Sequence, residues 1–209
     1  MAEKLDIYDL EGNLLRVEDR KKYFIESKEE FEKTGKVSSR VKSIRLLLLN
    51  TDGRIYLQKR SRIKPENPGL YDKTVGGHLS SGGHWEITVV RECAEELGIP
   101  VAVISDEDFS KAVKSTNLEV IGLVKKLLGP ADLDSERTSI DGKKFIQPYI
   151  TCYYIGYYNG VLKFVDGESC GIEVFSMDEL LHEIDKNPDS FTPDLKFMIE
   201  RFKDELKPL

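Results

Sequence analysis

One segment constrains this chain more than any other, a run of glycines and serines at residues 76–83 that leads directly into a helical pattern at residues 84–97. Four small or aliphatic side chains recur there at helical spacing and predict one buried stripe: Ile87, Val90, Ala94 and Leu97. Gly98 stands where a helix C-terminal glycine is expected. The segment therefore predicts a loop whose backbone a ligand can approach closely, followed by a rigid helix.

Three glutamates lie on a neighbouring face of this predicted helix. Glu92, Glu95 and Glu96 occupy positions i, i+3 and i+4, so their carboxylates crowd and repel one another. Arg91 can neutralise one of them, and a hard divalent cation with oxygen ligands, Mg²⁺ or Mn²⁺, can satisfy the rest. The alternative is a solvated acidic face with an Arg91–Glu95 ion pair. The glycine-rich loop favours the metal, because it lets a phosphate and a cation approach rigidly held carboxylates.

The same segment resembles the Nudix box, Gly-x5-Glu-x7-Arg-Glu-U-x-Glu-Glu-x-Gly-U, in which U is aliphatic or small and apolar. The matching residues are Gly77, Arg91, Glu92, Cys93, Glu95, Glu96, Gly98 and Ile99. Further similarity extends from about Arg45 to Leu195, and it is similar to the Nudix subgroup near the type I isopentenyl-diphosphate isomerases. The resemblance implies an α+β fold, a Nudix-type α/β/α sandwich with a mixed β-sheet.

One position departs from the box. Gly83 stands where the family has a glutamate that supports the box arginine and the geometry of the metal site. Glu86 lies three residues out of register and is a candidate substitute. The three later glutamates, which resemble the family's main metal ligands, are all present.

The resemblance also implies roles for single residues. The implied Mg²⁺ ligands, with Mn²⁺ as an alternative ion, are Glu92, Glu95, Glu96 and the main-chain carbonyl of Gly76. Arg91 would orient these glutamates. Hydrolysis also needs a carboxylate that takes a proton from the attacking water. Glu95 and Glu168 are both candidates for this base, and the choice between them stays open.

Two cations precede the glycine loop at a spacing that resembles the diphosphate-binding cations of the isomerase relatives. They are Arg60 and Lys64, and Gly77 joins them as a substrate-binding position. The alternative for the two cations is an ordinary exposed surface. His78 matches an isomerase metal-ligand position, and its alternative is a loop histidine that only forms hydrogen bonds.

The remaining chain is predicted to divide at residue 36. Residues 1–36 form a β-hairpin, at 7–9 and 14–17, and a charged helix or arm at 21–33 that packs on the main domain of residues 37–209. The predicted strands of the main domain are residues 41–50, 54–60, 71–75, 118–128, 145–158 and 161–164; its other predicted helices are 176–184 and 192–205; and its predicted specificity loops are 105–114 and 130–143.

Composition excludes several classes of protein. Lys and Arg number 31 against 37 Asp and Glu, and the net charge of -6 argues against binding of a nucleic acid polymer. No apolar run approaches the roughly 18–20 residues that a membrane helix needs, and no signal sequence opens the chain. Three separated cysteines fit a reducing cytoplasm. We therefore expect a cytoplasmic protein with a small-molecule diphosphate partner, and the N-terminal hairpin could serve a homodimer.

These features lead to one main hypothesis and two alternatives. The main hypothesis is Mg²⁺-dependent hydrolysis of a diphosphate linkage in a nucleoside-diphosphate derivative or another organic diphosphate. An isopentenyl-diphosphate isomerase-like enzyme is weaker, because Gly76 stands where the isomerases need a cysteine. A non-catalytic nucleotide-binding module is the third, motivated by Gly83.

Overall fold

The computed structural model of the protein describes residues 3–162 and 169–209. The strands of the described residues are β1 (Lys4–Asp9), β2 (Leu14–Asp19), β3 (Ser39–Leu49), β4 (Ile55–Arg60), β5 (Tyr71–Asp72), β6 (Val75–His78), β7 (Val101–Val103), β8 (Gly122–Thr138), β9 (Lys144–Tyr157) and β10 (Ser169–Phe175). The helices are α1 (Arg20–Thr34), α2 (Trp85–Leu97), α3 (Asp106–Ser115), α4 (Met177–Lys186) and α5 (Pro193–Phe202).

The strands form one mixed sheet with the central order β10-β4-β3-β9-β8-β7. Strand β3 lies at its centre, parallel to β9 and antiparallel to β1, β4 and β6. β3 is buried along nearly its whole length because neighbours cover both of its faces. This mixed sheet confirms the predicted α+β fold class.

Alternation along β3 separates two hydrophobic layers. Ile44, Leu46 and Leu48 pack against α2 through Val89, Cys93 and Leu97. On the opposite face, Leu47 and Leu49 join a cluster that includes side chains of α3, α4 and α5. Each fully buried aliphatic side chain of this kind contributes about 1.5–3 kcal/mol. The result is the predicted α/β/α sandwich.

The N-terminal hairpin and helix are present, and the hairpin joins the main sheet because β1 pairs with β3. Asp19 caps α1 by accepting a hydrogen bond from the Lys22 amide, and Gly35 ends the helix in the left-handed conformation. Tyr23 of α1 packs in a third cluster with Leu5, Ile7, Val41 and Tyr149. A division of the chain into two units at residue 36 stays a prediction.

Two segments that we predicted as loops are regular structure, so their assignment as loops was wrong, whereas their role in substrate specificity stays a prediction. Residues 105–114 belong to α3, whose N-cap Ser105 accepts a hydrogen bond from the Asp108 amide. Most of residues 130–143 lies in β8, which pairs with β9 as far as Thr138. The ladder of this long hairpin uses backbone groups, so its polar side chains do not interrupt it, and Pro130 sits at a register shift where no ladder donor is needed.

Smaller differences concern the ends of elements. The strand predicted at 118–128 begins at Gly122, and the last helix ends at Phe202. Of the strand predicted at 161–164, residues 161–162 are not in a strand and the rest lies outside the described residues. No helix in residues 3–162 or 169–209 is long and apolar enough to cross a membrane.

Candidate active site

Helix α2 buries a different face from the one that its apolar spacing predicts. Ile87 is 64% exposed, Val90 is 40% exposed and Ala94 is also on the surface, so the predicted buried stripe was wrong apart from Leu97. The helix instead packs through Val89, Cys93 and Leu97. This orientation has a chemical consequence, because it turns two of the three glutamates towards the sheet.

The first of these, Glu92, is buried against the backbone of β6. A Cβ atom added to Gly77 would lie 2.1 Å from Glu92 Oε1 and 2.3 Å from its Cδ atom. Only a glycine at position 77 therefore lets the carboxylate approach the strand. Burial raises the pKa of Glu92 to about 7; Arg91 opposes this shift and Glu95 adds to it.

Arg91 joins the carboxylates to the strand, and its orienting role stays a prediction. Its guanidinium donates to Glu92 Oε1 and to Glu95 Oε2, both at 2.8 Å, and to the carbonyl oxygen of His78 at 3.2 Å. Glu96 is buried on the same side of the helix as Glu92, whereas Glu95 is exposed. The box glutamates thus comprise a buried pair and a third that reaches solvent.

The chemistry of these groups fits a hard divalent cation. Carboxylate and main-chain oxygens are the ligands that Mg²⁺ prefers, and the raised pKa of Glu92 shows that its negative charge lacks full compensation. Within the described ranges, no three Asp, Glu, His or Cys side chains already converge into a metal-binding cluster. Arg91 occupies Glu92 Oε1 in this arrangement, so coordination would require this contact to loosen.

The departure at Gly83 has a local structural reason. Its amide donates to the Ser80 carbonyl in a tight turn, and an added Cβ would lie 2.8 Å from that same oxygen. Glu86, the candidate substitute, is exposed and pairs with Lys126 at 3.3 Å. The loop gains support from the N-terminal strand instead, because Asp6 accepts hydrogen bonds from Ser81 Oγ and the Gly82 amide.

A cleft of about 980 Å³ opens beside β6, with α1 as one wall. Arg60, Lys64, Gly76 and Gly77, which we predicted as substrate or metal contacts, all line it. The box glutamates are not part of this lining, but Glu92 lies directly behind Gly77. Glu168, the other candidate base, lies outside the described residues.

Arg60 has a structural task in this cleft. Its Nε and Nη2 atoms donate to the main-chain carbonyls of Glu66 and Asn67, and its Nη1 atom donates to Asp72 at 3.1 Å. The side chain thereby holds the loop that follows β4. Lys64 lies in this loop, and its amide donates to the carbonyl oxygen of Ser61.

Sequence reasoning missed three buried or half-buried cations of the cleft, which we call the cation floor: Arg45, Lys73 and Arg137. Asp194 on α5 accepts from Arg45 Nε at 3.1 Å and lies 3.8 Å from Lys73 Nζ. Burial would raise the pKa of Asp194, but the three cations hold it below its ordinary value. One signal was visible, since Arg45 interrupts an otherwise aliphatic run at residues 44–49.

His78 also lines the cleft, and it lies on strand β6 and not in a loop. Its ring packs against Phe24 of α1 at 5.1 Å between centroids and against Tyr149 at 5.7 Å. Its Nδ1 atom is buried, and no residue that the structure describes forms a hydrogen bond with it. Burial holds the pKa of His78 well below its usual value, and the nearby Arg20 adds to this shift, so the imidazole is neutral at pH 7.

Comparisons with known proteins agree with this geometry. A Nudix hydrolase of Pseudomonas aeruginosa, itself uncharacterized, is 36% identical over 61 residues, which cover 29% of this chain and 36% of that protein. The isopentenyl-diphosphate delta-isomerase of Salmonella heidelberg is 35% identical over 54 residues, which cover 26% of this chain and 30% of that protein. The matches thus span about a third of these relatives' own length.

Two solved structures share the fold. DR0079 from Deinococcus radiodurans has a TM-score of 0.62 at 19% identity, covering 95% of this chain and 98% of its own. A MutT protein from Methanosarcina mazei has a TM-score of 0.52, also at 19% identity, covering 79% of this chain and 94% of its own. The model of the NUDIX domain matches residues 39–195, which is most of the chain. The chain therefore belongs to the Nudix family.

Proposed function

We propose that this chain is a Mg²⁺-dependent hydrolase that cleaves a diphosphate linkage in a nucleoside-diphosphate derivative or another organic diphosphate. The observation that carries the proposal is the burial of Glu92 and Glu96 on one side of α2, with Glu92 pressed against Gly77 at the edge of a cationic cleft. A carboxylate buried this way is costly unless a cation compensates it. Arg91 supplies only part of that compensation, since the pKa of Glu92 stays raised.

In this proposal Glu92 and Glu96, with Glu95 and the Gly76 carbonyl, hold Mg²⁺ or alternatively Mn²⁺. The ion would polarise phosphoryl oxygens, offset charge on the leaving group and lower the pKa of a bound water. Arg91 orients Glu92 and Glu95 through the hydrogen bonds described above.

The chain's own residues would also bind the substrate and move a proton. Gly76 and Gly77 have no side chains of their own, which lets Lys73 and Glu92 approach β6 where a phosphoryl group would bind. Glu95 reaches solvent and can accept the proton of an attacking water. Glu168 is the second candidate for that role, and variants at both positions would decide between them.

A substitution at Glu96 tests the proposal. Purified protein is incubated with Mg²⁺ and a panel of organic diphosphates, and product release is followed. Glu96→Gln keeps the shape of the side chain and removes its charge, so we expect turnover to fall by about a hundredfold or more. Glu86→Gln is the matched control on the same helix, because Glu86 pairs with Lys126 outside the site. Full turnover by Glu96→Gln would remove the proposed metal site.

The two alternatives have distinct readouts. The partial identity to an isopentenyl-diphosphate isomerase motivates a test for deuterium uptake from solvent into isopentenyl diphosphate. The glycine at position 83 motivates calorimetric titration with nucleotides, in which binding without product release would indicate a non-catalytic module. A cytoplasmic location and a homodimer also belong to this proposal, and light scattering on the purified protein measures the second.

A further inference from the structure

The cleft concentrates positive charge in a chain whose net charge is -6. Eight of its lining residues are basic and three are acidic. The basic residues are Arg20, Lys21, Lys28, Arg45, Arg60, Lys64, Lys73 and Arg137, and the acidic ones are Glu3, Asp19 and Glu66. A cleft lined by one sign of charge attracts ligands of the opposite sign.

The deepest part of this charge is the cation floor, Arg45, Lys73 and Arg137. Its ion partners on the described part of the chain are three buried or half-buried carboxylates, at 2.9–4.0 Å: Asp72, Glu66 and Asp194. Arg60 shares Asp72 at 3.1 Å and Lys28 shares Glu66 at 2.8 Å, so among the described residues five cations meet three carboxylates. A buried charge without a counter-charge costs several kcal/mol, so this network favours one further anion.

One donor of the floor is free for that anion. Arg45 is 2% exposed, and its Nε and Nη1 atoms donate to Asp194, Ser43 Oγ and the Ile44 carbonyl. Its Nη2 atom is buried and has no hydrogen-bond partner among residues 3–162 and 169–209. An unsatisfied buried donor costs about 1–3 kcal/mol, and Arg45 lines the cleft. A ligand oxygen that entered there would accept this hydrogen bond.

The cation floor lies beside Gly76 and Gly77 of β6. Arg45 on β3 pairs in register with Gly76 on β6. A Cβ atom added to Gly76 would lie 2.5 Å from Lys73 Cε, just as one added to Gly77 would meet Glu92. Consecutive strand residues face opposite sides of a sheet, so these two glycines have the cation floor on one side and the buried glutamates on the other.

We propose that Arg45, Lys73 and Arg137 form an anion-binding subsite that holds one phosphoryl group of the diphosphate substrate. The proposal rests on the proposed function and deepens it. A diphosphate along the edge of β6 spans the two glycines, with one phosphoryl group beside the glutamates and the other above the cation floor. Its oxygen accepts from Arg45 Nη2, and its charge completes the network. The proposal therefore restricts the substrates to diphosphates whose second phosphoryl group carries no substituent large enough to keep it out of the cation floor.

The competing explanation is that the three cations only tie α5 and the loop after β4 to the sheet. Binding of inorganic pyrophosphate by the metal-free protein separates the two explanations. Calorimetric titration is performed in EDTA on the wild type and on Lys73→Met and Arg45→Lys. The first variant removes a charge at nearly constant length, and the second keeps the charge but lacks the guanidinium geometry. Loss of one hydrogen bond to a charged group predicts about 10- to 100-fold weaker binding.

Lys143→Met is the matched control, because Lys143 is an exposed cation that pairs with Glu32 and Asp141 outside the cleft. Thermal unfolding checks that each variant is folded. If Lys73→Met or Arg45→Lys does not fold, the test rests on the wild type alone. Pyrophosphate in EDTA must then raise the Tm of the wild type more than sodium chloride of equal ionic strength does. Absence of that increase, or equal pyrophosphate affinity in every folded variant, overturns the proposal.

Failure of the anion-binding subsite can be distinguished from failure of the proposed hydrolase function. Glu96→Gln leaves the cation floor intact, so it must lose turnover and keep its metal-free affinity for pyrophosphate. Normal pyrophosphate binding without hydrolysis of any diphosphate would retain the subsite and remove the hydrolase. Turnover of a diphosphate by a protein that has no metal-free affinity for pyrophosphate would retain the hydrolase and overturn the subsite.

Discussion

Replacement of Gly77 by alanine is the sharpest probe of the contact between β6 and α2. The backbone of Gly77 has no positive φ, so alanine introduces no backbone strain there. The new Cβ atom would lie 2.1 Å from Glu92 Oε1, 2.3 Å from Cδ and 2.5 Å from Cγ. Ordinary contact begins at 3.4 Å, so the carboxylate must retreat by at least 1.3 Å.

Two effects of different size follow from that displacement. Overpacking of a buried side chain costs about 1–3 kcal/mol, while the change from glycine to alanine recovers about 0.4–1 kcal/mol through the unfolded chain. We therefore expect a net loss of about 1–2 kcal/mol in the free energy of unfolding. A displacement of about 1 Å in a catalytic group costs about a hundredfold in rate, so kcat/KM should fall far more steeply than stability.

Urea unfolding and Mg²⁺-dependent turnover measure the two effects, with Gly171→Ala as control. Gly171 lies in β10, and a Cβ atom added there meets no other described residue within 4 Å. A double-mutant cycle with Glu92→Ala isolates the contact, because shortening residue 92 removes the obstacle and the cost of alanine at position 77 should disappear. Wild-type activity in Gly77→Ala, or a stability cost that persists with Glu92→Ala, would refute this reasoning.

The pH and thiol chemistry give two further predictions. The pKa of Asp194 is lowered by Arg45 and the other floor cations against the effect of burial, so its stabilisation is present above pH 3.8 and is lost as pH falls through the lower folded-state value. Urea titrations from about pH 5 down to about pH 2 should therefore show a steeper loss in the wild type than in Asp194→Asn, and equal slopes would contradict the pairing. Burial raises the pKa of Cys93 above its usual value and that of Cys152 to about 11, whereas Cys170 is exposed. A disulfide reagent at pH 8 should therefore label one thiol rapidly in the native protein and three in urea, and rapid labelling of a second native thiol would contradict the burial.

The parts of the site that could be predicted are local in sequence. Residues 91–96 lie within two turns of one helix, so spacing alone places Arg91 beside Glu95, whereas its contact with the adjacent Glu92 is seen only in the structure. The run at residues 41–50 is long and aliphatic enough to predict a strand, and the structure shows that this strand lies at the centre of the sheet. The buried face of α2 could not be predicted in the same way, because Ile87 and Val90 compete with Val89 and Cys93 for the interior. Packing against the sheet decides between those faces, and it also decides which glutamates are buried.

The cation floor shows a different limit of sequence reasoning. Arg45 and Asp194 are 149 positions apart, yet the sheet and α5 bring them to 3.1 Å. A lone arginine in an aliphatic strand indicates a buried charge that needs a partner, but it does not identify the partner. Lys73 and Arg137 carry still less signal, since each stands in an ordinary polar stretch.

Net charge is a poor guide to such a site for an electrostatic reason. Exposed charges more than about 8–10 Å apart are screened by salt, so acidic residues on the surface, such as Asp106, Glu107 and Asp108 of α3, contribute little to the field in the cleft. Buried cations act through a lower effective dielectric constant, and each therefore exerts a stronger local effect. The overall charge of -6 sums every charged residue of the chain, so it does not describe the sign of the charge in the cleft. A small diphosphate that enters the cleft experiences mainly the cations that line it.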